Sequence, residues 1–592
     1  MKVSWRLASM RPGLFVLTAA LYTLYSCIPL VTGELMRQVL GAISSDAPAQ
    51  IGVWSLLALL LVTKVGHNIT LLAWNVCTWC WFFILFALLR SNLFRGLLLS
   101  KGGPAGEADE GGGPALSSGQ IVNRLRDDVE MFADVINEWY RLTGQGLFAI
   151  AAVVVMVGID PVITALTALP IAGVVVVVHL LNSKIARYYA AHRDQIEQVN
   201  AFLADLFASV TVVKLSDAVS SVTQRFDELG EVRRRVALKE QVVNRGLDSL
   251  SASIQHLTIG LVLLLAAGAM RDGDFTVGDF ALFIYYLEWT MEFPRRIGRL
   301  LAKQRISRVA GYRLSALMRT ESMEPFMDRH RIYLRGSLPS VTHPVREERD
   351  HLKELTAVGL CYQFPETGRG IDGIDLRIER GQLTVITGRV ASGKTTLLRV
   401  LLGLIDASRG EVRWNGQLIE RLEDFMVPPR CAYCPQVPRL FSETLRDNIL
   451  MGRQMDASEL EAILNRAVLE RDVVALEHGL DTVIGPRGVK LSGGQVQRTA
   501  AARMMACDPE LLVVDDLSSA LDVETEQLLW ARLGEYRRAH QVTCLAVSHR
   551  AAALRQADQI VVLKNGSVAD RGRLDELLER SEEMRRIWRG EE

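Results

Sequence analysis

The stretch LTVITGRVASGKTTLLRVLLGL, residues 383–404, decides the fold of the C-terminal half of this chain. Residues 383–387 form a β-branched apolar run typical of a buried strand, and residues 397–404 have the apolar spacing of a helix. Between them, residues 388–395 (GRVASGKT) fit the pattern G-x-x-x-x-G-K-[ST]. The glycines allow backbone N–H groups to close around phosphates, and the helix N-terminus adds a positive partial charge. The sequence therefore predicts a phosphate-binding loop in an α/β domain.

A nucleoside triphosphate with Mg²⁺ is the ligand that this loop predicts. Lys394 would reach the β- and γ-phosphates, and the Thr395 hydroxyl would ligate Mg²⁺. We expect the remaining loop residues to surround the phosphates: Gly388, Arg389, Val390, Ala391, Ser392, Gly393 and Thr396.

A second apolar run, Leu511 to Val514, ends in two carboxylates, Asp515 and Asp516. The run has the composition of a buried parallel strand. A carboxylate at the carboxyl end of a strand beside a phosphate loop is where a Mg²⁺ ligand belongs, so we predict that Asp515 is one. Taken alone, the same pattern also fits an ordinary strand that ends at solvent.

The N-terminal half has a different character. The chain has 592 residues, too many for one hydrophobic core, and 49% of them are hydrophobic. The long apolar runs lie within residues 1–300, and a net charge of zero gives no field that would favour nucleic acid. At ~1.5 Å rise per residue, a bilayer core of ~30 Å needs about 20 apolar residues. Six spans are predicted, at 13–33, 53–89, 141–159, 161–182, 250–270 and 279–300.

The segments between the spans indicate orientation. Residues 90–140 and 183–247 are long and rich in Arg and Lys, which places them in the cytoplasm, and both look helical. We predict a transmembrane domain over 1–318, a linker over 319–350 and an ATPase domain over 351–592. Within the first domain, residues 101–119 are rich in Gly, Pro and acidic residues, so we expect a flexible loop there.

The pentapeptide LSGGQ at residues 491–495 is identical to the signature of the ATP-binding cassette (ABC) ATPases, and the chain resembles that family. The family's other motifs follow in order. The resemblance implies that Tyr362 stacks on adenine, that Gln436 senses Mg²⁺ and the γ-phosphate, and that His549 is the switch histidine. It also implies a D-loop at 519–522 and a catalytic role for Asp516, Gln436 and His549, with Gln436 as a further metal ligand.

The signature suggests a dimer. Ser492, Gly493, Gly494 and Gln495 offer donors at a helix N-terminus, which is a second anion site. One domain does not need two such sites for one γ-phosphate, and in the family the signature faces the ATP of a partner. We therefore expect a second half-transporter as partner, in a homodimer or a heterodimer.

The membrane half resembles exporter-type ABC transporters, with an all-α domain of six spans. Residues 118–129 and 208–214 look like that family's cytoplasmic coupling segments, and 275–280 resembles the start of its sixth helix. The resemblance predicts a multi-pass protein of the plasma membrane that exports a drug, lipid or peptide. Import on the same fold, as for siderophores, and a catalytically weak regulatory half remain alternatives.

Three further sets of residues carry expectations. The family usually has Glu where this chain has Asp516, and a side chain one methylene shorter predicts slow hydrolysis. Glu288 and Glu292, four residues apart in the sixth span, either line a cation-preferring cavity or form ion pairs with Lys64 and with Arg295 or Arg296. The pair Cys431 and Cys434 has no second ligand pair at zinc-finger spacing, so we interpret it as structural.

Overall fold

The computed structural model describes residues 2–44, 52–99, 118–272, 275–318, 324–333, 336–337, 339, 341, 343–365, 367–485 and 488–590. The chain divides into two compact units, one ending at Arg335 and the other running from Gly336 to Glu592. Most of the predicted flexible loop, residues 101–117, and residues 319–323 of the predicted linker lie outside the described residues.

The first unit is mainly helical over its described residues. Their bounds are α1 (Lys2–Ser9), α2 (Pro12–Ile43), α3 (Val53–Leu99), α4 (Ser118–Asn123), α5 (Val129–Ile159), α6 (Pro161–Ala208), α7 (Val210–Leu215), α8 (Val219–Asp272), α9 (Val277–Thr290) and α10 (Glu292–Leu317). A single π-helical turn, Arg124–Asp128, joins α4 to α5.

Four helical segments of the described chain are long and apolar enough to cross a membrane: Pro12–Ile43, Val53–Leu99, Ile121–Ile159 and Ala252–Arg271. They contain or overlap the predicted first, second, third and fifth spans. The predicted fourth span lies in α6, of which Pro161–Pro170 is a shorter apolar piece. The three helices α5, α6 and α8 continue far beyond the length of a bilayer, as expected from the two long cationic segments.

The predicted sixth span is interrupted rather than continuous. Helix α9 ends at Thr290 and α10 begins at Glu292, with Met291 between them in helical backbone geometry (φ −64°, ψ −19°). Pro294 is the physical reason, because it has no N–H to donate to the carbonyl four residues earlier, at Thr290. The backbone ladder therefore loses one hydrogen bond at this point.

Local capping fixes where two of the membrane helices begin. Asp160 accepts hydrogen bonds from the N–H groups of Val162 (2.8 Å) and Ile163 (2.9 Å), which starts α6 at Pro161. Thr276 and Asp279 form a reciprocal capping box at the start of α9. The buried Asp279 carboxylate also pairs with Arg37 Nε of α2 at 2.6 Å, so the cap holds α9 against α2.

The second unit contains two sheets. Its strands are β1 (Glu354–Gln363), β2 (Gly370–Glu379), β3 (Leu383–Gly388), β4 (Arg409–Trp414), β5 (Gln417–Leu418), β6 (Cys431–Cys434), β7 (Leu511–Asp515), β8 (Thr543–Val547), β9 (Gln559–Lys564) and β10 (Ser567–Gly572). The antiparallel sheet has the order β2-β1-β4-β5, and the larger sheet has the order β10-β9-β3-β8-β7-β6. All of the larger sheet is parallel except its edge strand β10.

Helices surround the larger sheet, and its central strands are buried along their whole length, as predicted for residues 383–387 and 511–515. The helices are α11 (Lys394–Leu401), α12 (Leu422–Phe425), α13 (Leu445–Leu450), α14 (Ala457–Arg466), α15 (Glu470–Ala475), α16 (Gly493–Met505), α17 (Val523–His540), α18 (Ala551–Gln556), α19 (Leu574–Arg580) and α20 (Glu582–Arg589). The predicted fold class, an all-α membrane domain joined to an α/β nucleotide-binding domain, is confirmed.

The close approach of α9 to α2 gives a stability prediction. A Cβ on Gly278 would lie 2.3 Å from the Arg37 carbonyl oxygen, a backbone atom that cannot rotate away. Gly278→Ala should therefore destabilise the protein by about 1–3 kcal/mol, measured as a lower Tm of the purified protein in detergent. Gly41→Ala is the matched control, since a Cβ there meets nothing within 4 Å. Equal Tm values for the two variants would contradict the tight α2–α9 contact.

Candidate functional site

Four adjacent parallel strands deliver the predicted ATP-site residues to one edge of the larger sheet. The strands β3, β8, β7 and β6 all end at the same edge because they run in parallel. The phosphate-loop motif follows β3, His549 follows β8, Asp515 and Asp516 end β7, and Gln436 follows β6. The structure thus brings together residues that are up to 161 positions apart in sequence.

The phosphate loop folds around Lys394. The Lys394 ammonium donates hydrogen bonds to the carbonyl oxygens of Gly388 and Arg389, both at 2.8 Å. Gly393 has φ 97°, which favours glycine, and a Cβ there would lie 3.2 Å from the Gly370 carbonyl oxygen. The buried Ser392 hydroxyl has no hydrogen-bond partner among the described residues. A cation and an unsatisfied hydroxyl at one loop fit a bound phosphate chain.

Burial and neighbouring polar or charged groups shift the pKa values of Lys394 and Asp515 in opposite directions. Burial lowers the pKa of Lys394, whereas the nearby carboxylates of Asp515 and Asp516 counteract that shift. Burial raises the pKa of Asp515, against a hydrogen bond from the Thr395 hydroxyl that favours the ionised form. Thr395 and Asp515 are therefore adjacent, and their oxygens are the ligand type that Mg²⁺ prefers.

Asp516 occupies a constrained position. Its backbone is left-handed (φ 51°), and its N–H donates to the Val547 carbonyl at 3.0 Å. The side chain is 7% exposed, and Oδ1 has no hydrogen-bond partner among the described residues. His549 and Gln436, by contrast, are exposed at the same edge. An unpaired carboxylate oxygen beside two exposed polar side chains fits a group that awaits a water or ligand.

The signature residues form the start of α16. Ser492 Oγ accepts from the N–H of Gln495 (3.3 Å), and Gln495 Oε1 accepts from the N–H of Ser492 (2.8 Å). The Gln495 amide also donates to Asp472 at 2.9 Å. The side chain of Gln495 is thus committed to this helix start, whereas the Ser492 hydroxyl still has its own hydrogen to donate.

Tyr362 does not lie where its predicted role requires. Its ring is 6% exposed and belongs to the hydrophobic core, so it offers no free face for adenine. The physical reason is a register shift in β1 between Ala357 and Leu360, around Gly359 at φ 60°, which changes the residues that face inward. Phe364, which sequence reasoning missed, is partly exposed just beyond the strand, with its ring 5.0 Å from that of Tyr362.

The two glutamates of the predicted sixth span have different surroundings. Glu292 contacts Arg295 (3.8 Å), Arg296 (3.5 Å) and Arg299, which confirms the ion-pair alternative for this residue. Glu288 is exposed on α9. Lys64, its predicted partner, donates instead to the Tyr285 hydroxyl at 3.1 Å.

The Glu292 contacts are part of a larger polar network between α5 and α10, which we call the α5–α10 cluster. It contains the cations Arg141, Arg295, Arg296, Arg299 and Lys303, and the carboxylates Asp134, Glu138 and Glu292. Cations therefore exceed carboxylates in these contacts, the reverse of a cation-preferring lining.

Aromatic rings flank the same cluster. The Arg296 guanidinium lies 5.4 Å from the ring centre of Tyr22, and that of Arg141 lies 5.2 Å from Trp74. The buried nitrogens Nε of Arg141, and Nε and Nη1 of Arg296, lack hydrogen-bond partners among the described residues. These guanidinium groups retain unused donor capacity next to apolar surface.

Two protein-family descriptions match this chain. "ABC transporter transmembrane region" matches residues 109–292, and "ABC transporter" matches residues 371–519. Together these ranges cover more than half of the chain. The chain belongs to the ABC transporter family. The second match contains both the phosphate loop and the LSGGQ signature of this ABC transporter.

Known proteins resemble this ABC transporter over most of its length. The ATP-dependent lipid A-core flippase of Chromobacterium violaceum is 26% identical over 78% of this chain and 76% of its own. The probable multidrug resistance ABC transporter ATP-binding/permease protein of Bacillus subtilis is 27% identical over 69% of this chain and 67% of its own.

A solved structure shares the fold of this ABC transporter. A bacterial Atm1-family ABC exporter with ATP bound superposes with a TM-score of 0.81, at 19% identity and 98% coverage of both chains. This ABC transporter is accordingly an integral, multi-pass membrane protein with a cytoplasmic ATPase domain that binds ATP and couples its hydrolysis to transport.

Proposed function

We propose that this ABC transporter exports an amphiphilic molecule with an acidic group, using ATP that binds at the phosphate loop. The observation that carries the transport assignment is the fusion of a matched transmembrane region to a sheet edge that brings together the phosphate loop, Gln436, Asp515, Asp516 and His549. Export is favoured over import because the solved structure that shares this fold is that of an exporter. ATP-dependent accumulation of substrate in inside-out vesicles tests the direction, and uptake into right-side-out vesicles alone would support import.

Each residue at this edge of the sheet has a separate role in ATP hydrolysis. Lys394 and the backbone of residues 388–396 hold the phosphates, with the Ser392 hydroxyl as a further donor. Thr395, Asp515 and Gln436 would ligate Mg²⁺, which neutralises developing charge on the phosphates. Asp516 orients the attacking water, and His549 donates to the γ-phosphate.

The adenine platform is reassigned in this proposal from Tyr362 to Phe364. Gln363, next to Phe364, pairs with Gly370, and the Gly370 carbonyl lies beside Gly393 of the phosphate loop. A partly exposed ring at this position is near the loop yet free to stack on a base.

A second half-transporter completes each site. Ser492 starts α16 with its hydroxyl hydrogen available, and Gly493 and Gly494 lie against Ala520 of the D-loop, where a Cβ would come within 3.1–3.3 Å. The start of α16 is therefore a second phosphate-binding helix end. It does not lie at the strand edge that holds the chain's own phosphate loop. A homodimer is favoured because the chain has His549. A purely regulatory half would not need this histidine, so the position could then hold another residue.

The α5–α10 cluster supports the acidic substrate. Five cations contact three carboxylates there, and the guanidinium groups of Arg141 and Arg296 combine unused donors with aromatic neighbours. The excess of positive charge in the cluster would attract an anionic headgroup. The name of the lipid A-core flippase relative is consistent with a lipid substrate.

Removal of the loop cation tests the ATP site. Lys394→Ala should abolish ATP-driven transport, because it removes the cation expected to neutralise the β- and γ-phosphates. Membrane insertion should be unchanged, since it depends on the apolar helices. The measurement is substrate accumulation in vesicles with matched protein content. Transport at the wild-type rate would contradict the proposed placement of the nucleotide.

Asp516 should make hydrolysis slow without preventing it. An Asp carboxylate falls about 1 Å short of a Glu carboxylate, and a displacement of this size costs ~10²-fold in rate. Asp516→Glu should therefore raise kcat of the purified protein several-fold, and Asp516→Asn should nearly abolish ATPase activity. If Asp516→Asn hydrolyses ATP at the wild-type rate, Asp516 does not act on the water.

The substrate class is tested with a matched pair of lipids. Phosphatidic acid should stimulate the ATPase of the wild type in nanodiscs more than diacylglycerol, which lacks the phosphate. Arg296→Gln should reduce the phosphatidic acid effect about tenfold, because a charge-assisted hydrogen bond is lost. Glu288→Gln should leave it unchanged, as Glu288 is exposed outside the cluster. Equal stimulation by the two lipids would contradict recognition of an acidic group.

A further inference from the structure

The C-terminal helix α20 places a buried carboxylate beside the phosphate loop. Glu583 is 6% exposed although it carries a charged group. One carboxylate oxygen lies 2.6 Å from Nε of Arg389, and the other lies 3.2 Å from Nζ of Lys564. Arg389 is the first residue after Gly388 in the loop motif. A buried carboxylate is expensive unless it is paired, so these two cations are what allow Glu583 to be buried.

The position of Glu583 is fixed by the packing of its helix. The next residue, Met584, is fully buried in the core that also contains β7 and β8 side chains. The Ser581 hydroxyl caps α20 by accepting from the N–H of Met584 at 3.3 Å. Ile587 and Trp588 pack against the same core. The backbone of Glu583 is therefore held beside the phosphate loop by the packing of its helix.

The carboxylate is linked to both sides of the phosphate loop. On one side, the Arg389 carbonyl accepts from Lys394 Nζ at 2.8 Å and from the Ser392 N–H at 3.2 Å. On the other side, Lys564 ends β9, and the turn after it brings the Gly566 N–H to the Ser392 carbonyl at 3.2 Å. One side chain from the end of the chain thus restrains residues that hold Lys394 and Ser392 in place.

We propose that Glu583 is a positioning residue for ATP binding: it holds the Arg389 side chain and thereby orders the phosphate loop before ATP arrives. The inference rests on the proposed placement of the phosphates at this loop. Ordering a flexible segment on binding lowers affinity, so a loop that is ordered in advance binds ATP more tightly. Glu583 has no part in the chemical step, because it contacts neither Asp515 nor Asp516 within the described contacts.

The experiment compares neutral variants of neighbouring glutamates in the full-length protein. Glu583→Gln should raise KM for ATP about threefold to tenfold while kcat changes less than about twofold, because only the preorganisation of the loop is lost. Glu582→Gln is the matched control, since Glu582 is exposed on the same turn and pairs with Arg586. It should leave both constants unchanged. Glu583→Asp, which keeps the charge, should recover part of the lost affinity.

A double-mutant cycle tests whether the effect passes through Arg389. Arg389→Gln should raise KM by a similar factor, and the double variant should be no worse than either single variant. A wild-type KM for Glu583→Gln, a lower KM, or independent effects in the double variant would overturn the proposal. So would equal losses in KM and kcat together with a lower Tm, which indicate general destabilisation. These outcomes are separate from the Lys394→Ala result, which tests whether ATP binds at this loop at all.

Discussion

The parallel hydrogen-bonded ladder through β3, β8 and β7 is the constraint on which the ATPase unit depends. Its strands are short, five or six residues each, and buried along their whole length, so their apolar side chains fix the register. Because the strands run in the same direction, each loop at their carboxyl ends emerges at one edge. The site follows from this geometry: Lys394 and the carboxylates of Asp515 and Asp516, which are far apart in sequence, lie at one edge of the sheet.

In the membrane unit, the charged side chains of the α5–α10 cluster lie close to apolar surface and need partners. They share these partners: Glu138, only 1% exposed, lies within ion-pair distance of Arg141, Arg296 and Lys303. Lys303 also pairs with Asp134, and Arg296 with Glu292, so that five cations share three carboxylates and the cluster keeps a net positive charge. The ion pairs that stabilise the interface of α5 and α10 therefore leave a net positive charge, which would attract the proposed acidic substrate.

The sequence was most informative where one motif contains its own structural context. The phosphate loop could be predicted because strand, glycines and helix follow one another within 22 residues, and LSGGQ could be recognised because it is identical to the signature of the ABC ATPases. The pairs of Glu292 with Arg295 and Arg296 were predictable because helical spacing brings them together.

The features that escaped prediction depend on distant partners or on a backbone irregularity. The bulge at Gly359 turned Tyr362 inward and left Phe364 near the loop, and alternation along a regular strand gives no sign of such a shift. Glu583 is separated from Arg389 by 194 residues, and its surroundings in sequence, RSEEMRR, look like an ordinary solvated helix start. Only tertiary packing distinguishes it from Glu582.

The interruption at Met291 has a mechanical consequence. A helix resists bending because every turn is tied to the next, and the missing bond at Thr290 removes one tie. The α9–α10 pair therefore bends most easily between its apolar half, Val277–Thr290, and its cationic half, Glu292–Leu317. Because the apolar half is attached to α2 through Arg37 and Asp279, bending at this point would change the direction of the cationic half relative to α2.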